Sequence, residues 1–131
     1  MHVDRVMRGA LRAAALVNLL GVVVFGLAAV GRPSTLLPLA VPPFYAAQLA
    51  LVIAIFGGAY AWLARQPRID VPLVVVGAMG KAGFFGLALV YWALGDLPVR
   101  AMSSAMPDLV LALVFCWWLH SPPTLRGVST A

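Results

Sequence analysis

The sequence predicts an all-α integral membrane protein, a four-helix bundle that occupies residues 1–131 as a single domain. Three observations lead there. Of 131 residues, 63% are hydrophobic and only 10% are charged, whereas a soluble domain carries about a quarter of its residues charged. Four apolar runs approach the roughly 20 residues that a helix needs to cross a hydrocarbon core about 30 Å thick. None of the runs alternates with period two, and in lipid only a helix or a closed barrel satisfies the backbone. With nine basic residues, four acidic ones and no glutamate, such a chain would expose large apolar patches in water.

The first run extends from Leu11 to Val30. A basic start and the small residues of "LAAVG" also fit a cleaved leader, but a secretory core is about 7–15 residues long, so the run is expected to be retained as a helix. "GRPSTLLPLAVPP" follows, where Pro33, Pro38, Pro42 and Pro43 block helix continuation; its apolar character places it in the membrane interface. The second run is Phe44 to Ala64. "RQPRID" ends it, and Pro72 suits the first turn of the third run, Val71 to Leu94. "GDLPVRAMSS" precedes the fourth and shortest run, Ser104 to Leu119, and "HSPPTLRGVSTA" forms a polar tail.

Arginines near the run ends set the orientation. Arg5, Arg8, Arg12, Arg65, Arg68 and Arg126 fall on one side, Arg32 and Arg100 on the other. The positive-inside rule then places both termini in the cytoplasm, as expected for a multi-pass protein of a bacterial inner membrane. Trp62, Trp92, Trp117 and Trp118 lie near run ends, where an aromatic belt is expected.

Helices in lipid associate through close backbone approach and hydrogen bonds. Ala46, Ala50, Ala54 and Gly58 offer a four-residue small-side-chain seam on the second helix, and Ala78, Ala82 and Gly86 offer one on the third. These seams serve packing within the bundle or, alternatively, a homo-oligomer. No repeat relates the two halves of the chain, which weakens an inverted-repeat transporter.

A charge at the bilayer centre costs about 2.5–3.5 kcal/mol on insertion scales. Lys81 nonetheless lies ten residues into the third run, roughly 15 Å from its start at about 1.5 Å per residue. It either snorkels toward the headgroups beside its glycines or pairs with a partner. Asp108 is the acid within the hydrophobic portion. If the fourth helix starts at Pro107, Asp108 is an interfacial helix-start residue; if the helix starts near Ser103 or Ser104 and bends at Pro107, Asp108 moves inward. A Lys81–Asp108 pair between the third and fourth helices, bridged by water, is the sharpest expectation. Asn18, Gln48 and Tyr60 can join such a pocket. Asn18 and Gln48 are equally suited to bond helix to helix, and Tyr60, near a helix end, to mark the interface, as are Tyr45 and Tyr91.

Other chemistries find little support. The pI of about 10.4 does not signal nucleic acid, because the basic residues fall between apolar runs. Cys116, the single cysteine, excludes an internal disulfide and is expected to fill space within "LVFCWW". His2 and His120 make weak metal or haem ligands, and neither metal nor cofactor is expected. "GAMGKAG" lacks the spacing and following Ser or Thr of a nucleotide loop. No nucleophile–base pair occurs, so no catalytic residue is assigned.

"GKAGFFGLALVYWALGDLP" together with "PDLVLALVFCWWL" resembles small four-helix bacterial membrane proteins of the DoxX-like group, over residues 72 to 119. That resemblance implies an inner-membrane bundle with intramembrane polar residues, without a defined activity. More remotely the chain is similar to sterol-isomerase-like bundles, where Asp108 alone could stand for the cavity acids. Small multidrug-resistance transporters carry a first-helix glutamate where this chain has Asn18. The expected function is an accessory subunit or a binder of a lipid-like small molecule, with a site around Lys81 and Asp108. The alternatives are an oligomeric transporter or channel using Lys81 and, third, a membrane-embedded enzyme with that pair as acid and base. Expected partners are the bilayer, a second copy or a larger membrane complex, and the small molecule.

Overall fold

A computed structural model describes residues 2–32, 37 and 40–122. The polar tail beyond Pro122, with Arg126, and the connector prolines Pro33 and Pro38 lie outside the described residues. Those residues form five helices and no strand: α1 (His2–Ala29), α2 (Pro43–Leu63), α3 (Val71–Ala93), α4 (Val99–Ser104) and α5 (Met106–His120). Four helical stretches are long and apolar enough to cross a membrane, with α4 and α5 together supplying the fourth, Val99–His120. Chain reversals therefore alternate between two ends of the bundle. His2, the α2–α3 connector and His120 share one of them, called here the termini end.

α1 begins nine residues before the apolar run suggests, because polar contacts hold its extension. Met7, Leu11, Ala14 and Asn18 make one buried face at helical spacing. Beside it, Asp4 accepts a hydrogen bond from Trp118 Nε1 at 2.9 Å. Arg8 reaches across to donate to the carbonyls of Ala64, Gln66 and Pro67, which ties the α2–α3 connector to α1. Gly31, two residues past the end of α1, closes the helix with a φ of 73° that suits glycine; Arg32 N bonds Leu27 O at 2.9 Å and Gly31 N bonds Ala28 O at 3.1 Å. This paired pattern satisfies carbonyls that a helix end would otherwise leave orphaned. Gly95 closes α3 the same way, with a φ of 84°. At the other end of α3, the Asp70 side chain accepts from Leu73 N at 3.0 Å and caps the first turn.

The fourth span starts at Val99 rather than Ser104 and breaks at Ala105. Pro107 has no N–H to give the carbonyl four residues back, and its ring crowds that carbonyl. The chain adapts with short i to i−3 bonds, Ala105 N to Met102 O and Asp108 N to Ala105 O. Ser103 and Ser104 turn their hydroxyls onto α4 carbonyls at 2.7–3.1 Å. A helical stretch thus precedes Pro107, and Asp108 lies well inside the span.

α1 packs along α2, while α5 packs against both α3 and α1. α2 meets α3 where Tyr60 crosses Gly77. A Cβ built at Gly77 would fall 2.9 Å from Tyr60 Cε1, so glycine is required there. The largest buried side chains, Trp118, Phe115, Met7, Leu11, Leu63 and Val74, all lie in the half nearer the termini. Leu16, Leu20, Leu51, Ile55, Met79, Leu87 and Leu113 are exposed, as a lipid-facing surface requires.

Several sequence expectations change. Trp118 is fully buried, whereas Trp62, Trp92 and Trp117 are exposed near helix ends. Cys116 is exposed rather than buried, since Phe115 and Trp118 take the inward positions of α5. The four-residue seam on α2 does not run along an internal interface: Ala46 is buried, but Ala54 and Gly58 are exposed. At about 100° per residue, a strict four-residue stripe turns roughly 40° per step and leaves the contact face. Gly57 packs instead, its virtual Cβ 3.1 Å from Asn18 Cβ. On α3, Ala78 is buried while Ala82 is exposed and Gly86 has no neighbour within 4 Å of a virtual Cβ.

Candidate functional site

Each polar residue of the site extends the apolar face of its helix by one step. On α3 the buried series is Val74, Gly77, Ala78, Lys81; on α5 it is Asp108, Leu111, Ala112, Phe115, Trp118; on α1 it ends at Asn18. Local helix phase therefore aims all three side chains at the bundle axis. The depth matches as well, since Lys81 is the eleventh residue of the 23-residue α3 and Asp108 the tenth of its 22-residue span.

The Lys81 ammonium sits between three helices. Nζ lies 2.5 Å from Asp108 Oδ1 and donates to Asn18 Oδ1 at 2.8 Å. The face of the Tyr60 ring is 5.6 Å away, within cation–π reach. An ammonium has three donors and no acceptor; Asp108 and Asn18 take two of them, and the Tyr60 ring faces the same charge. Asn18 faces two demands with opposite signs. Its Oδ1 takes the ammonium, and its Nδ2 donates to Ile53 O of α2 at 3.1 Å, so one amide couples α1, α2 and α3. The pair is direct, not bridged by water. The pair is within reach because the helical stretch before Pro107 sets Asp108 at the tenth residue of its 22-residue span.

Tyr60 belongs to this cluster and is not interfacial: it is 3% exposed. Its ring packs edge-on against Phe115, with centroids 5.8 Å apart, and its hydroxyl donates to Gly77 O at 3.4 Å. Of the two roles open to Tyr60, pocket member or interface marker, the packed core at that end of α2 selects the first. Gln48 does not join. It is exposed and lies twelve residues before Tyr60, roughly 18 Å along α2. Tyr45 and Tyr91 are exposed near helix ends. His2 and His120 are exposed, and His120 Nδ1 lies 2.8 Å from Cys116 O.

Two features give the cluster chemical potential beyond holding helices together. First, the packed core thins there. Lys81 is the last buried residue of α3 and Asn18 the last of α1, α4 has none, and on α2 Ala46 alone is buried beyond this level. In the half beyond them, the continuing faces (Val22 and Phe25 of α1, Phe85 and Ala88 of α3) are only half-buried. Second, Lys81 occupies only one oxygen of Asp108. Among the described residues Oδ2 has no hydrogen-bond partner, although the side chain is only 10% exposed. A carboxylate oxygen left this way is an acceptor waiting for a donor. Compared with known proteins, the chain matches no family model, no curated protein and no solved structure.

Proposed function

We propose that this chain is a non-enzymatic, multi-pass protein of the bacterial inner membrane, with both termini cytoplasmic, that binds a lipid-like small molecule in the open half of its bundle. It acts alone or as an accessory subunit of a larger membrane complex. The ligand's apolar body lies between the half-buried faces of α1 and α3, and a hydroxyl at its polar end donates to Asp108 Oδ2. The observation that carries this reading is the coincidence of the unfilled carboxylate oxygen with the edge of the packed core. Lys81 and Asn18 hold the carboxylate in place, as preorganised binding requires.

The test is native mass spectrometry of the chain purified from membranes in mild detergent. The expected result is a stoichiometric adduct of apolar, hydroxyl-bearing character on the unaltered chain, absent from Lys81→Met/Asp108→Leu, whose apolar pair leaves no buried charge at the site. An unaltered chain that flies bare, or a double variant with the same adduct, would overturn the reading.

A second reading, an oligomeric transporter or channel using Lys81, is favoured by one observation: Ala54, Gly58 and Ala82 leave small-residue surface uncovered on α2 and α3. It predicts a multimer in detergent and an ion flux in liposomes that Lys81→Met abolishes.

A further inference from the structure

Outside the core, α1 and α2 enclose a shallow groove at the termini end, lined by Arg12, Ala15, Leu16, Ala61, Ala64 and Arg65. We infer that this groove binds the phosphate headgroup of an anionic membrane phospholipid, with Arg12 and Arg65 as its two cationic jaws. The site is distinct in place and chemistry from the Lys81 cluster.

The charges are uncommitted. Among the described residues neither guanidinium has an ion-pair or side-chain hydrogen-bond partner. The two acids at this end are engaged elsewhere, Asp4 by Trp118 and Asp70 by the first turn of α3. Two arginines with no internal counterion suit one phosphate, because a guanidinium meets its oxygens with paired, charge-assisted bonds.

The backbone that carries the two arginines is also held before any ligand arrives. Arg8, one turn before Arg12 on α1, grips the carbonyls of Ala64, Gln66 and Pro67. The segment that carries Arg65 is therefore tied to the helix that carries Arg12. Such preorganisation lowers the ordering cost of binding.

The rest of the groove fits a lipid rather than a free anion. Its floor is alanine, which lets a chain lie close to the backbones. Leu16, one turn deeper than Arg12, is exposed, and Leu19 and Leu20 continue the apolar surface along α1. Trp62 is exposed beside the groove on α2, as an aromatic at headgroup level would be. A headgroup at the arginines and acyl chains along α1 thus follow one continuous path, and basic pockets between spanning helices are a recurring headgroup site.

The experiment titrates the purified full-length chain in detergent with phosphatidylglycerol or phosphatidylcholine of identical acyl chains and counts adducts by native mass spectrometry. Phosphatidylglycerol is expected to bind in preference, and Arg12→Gln and Arg65→Gln each to lower that preference about fivefold, as expected for one cationic side chain at a membrane surface. Arg5→Gln and Arg68→Gln, at exposed arginines outside the groove, are expected to leave it intact, and millimolar inorganic phosphate not to compete. Equal binding of the two lipids would overturn the inference. So would displacement by inorganic phosphate, which marks a free-anion site, or equal losses from Arg5→Gln and Arg12→Gln, which mark a diffuse charge effect.

Discussion

Replacing Lys81 by methionine keeps the length of the side chain and removes its ammonium. Asp108, whose side chain is 10% exposed, then keeps a buried carboxylate without its cation, and Asn18 Oδ1 loses its donor. Removing one member of a buried ion pair costs about 3–5 kcal/mol, and a lost interhelical hydrogen bond in lipid adds roughly 0.6 kcal/mol. The low end applies, because the unfolded reference chain remains in the membrane and finds partners of its own, so Lys81→Met is expected to lose about 3 kcal/mol. Asp108→Leu is expected to lose a similar amount by stranding the ammonium. The double variant leaves no buried charge and replaces the pair with packed apolar groups, an exchange that is often neutral. A coupling energy of at least about 2 kcal/mol follows, because neighbouring groups of one network are not additive. Unfolding in mixed micelles of mild detergent and dodecyl sulfate, followed by circular dichroism, measures it. Losses that simply add in the double variant would refute the claim that the two residues act as one unit.

The packing and the connector give further expectations. Gly77→Ala places a Cβ 2.9 Å from Tyr60 Cε1 and 3.3 Å from Phe115, and overpacking of this kind costs about 1–3 kcal/mol. Gly58→Ala, with nothing within 4 Å, serves as the neutral comparison in the same unfolding assay. Arg8→Ala frees three connector carbonyls and is expected to lose about 1–2 kcal/mol after discounting for its partial exposure. Limited trypsin digestion reads the change directly, as faster cleavage at Arg65 and Arg68. Trp118→Phe and Asp4→Ala break the same hydrogen bond, so each is expected to fray the first two turns of α1 and the pair to fray them no further; backbone hydrogen exchange of residues 3–8 decides it.

Much of the scaffold was legible because hydropathy and proline punctuation act locally. The ends of α2 and α3 fall within a residue or so of the apolar runs, and Asp70 with Pro72 marks the start of α3. The early start of α1 was not legible, since contacts distant in sequence, Asp4 with Trp118 and Arg8 with the connector, hold it. Lys81, Asp108 and Asn18 stood out because a polar side chain deep in lipid needs a partner, and the structure brings the three together. Whether Asp108 lay inside the span turned on the few residues before Pro107, where an α4 of six residues gives little periodicity to read. Tyr60 was open to a pocket or an interfacial role and Gln48 to a pocket or an interhelical bond; helix phase decides both, turning Tyr60 to the core and Gln48 outward. The same one-residue offsets separate Trp118 from Trp117, Phe115 from Cys116, and Gly57 from Gly58.

Lys81 is the single lysine of the chain, so lysine labelled with 15N at Nζ yields one ammonium resonance in lipid bilayers. With aspartate labelled at 13Cγ, solid-state NMR measures its dipolar coupling to Asp108. A strong coupling that vanishes in Asp108→Asn prepared with the same label is the expected result. An ammonium with no carboxylate coupling, exchanging freely with water, would contradict the account.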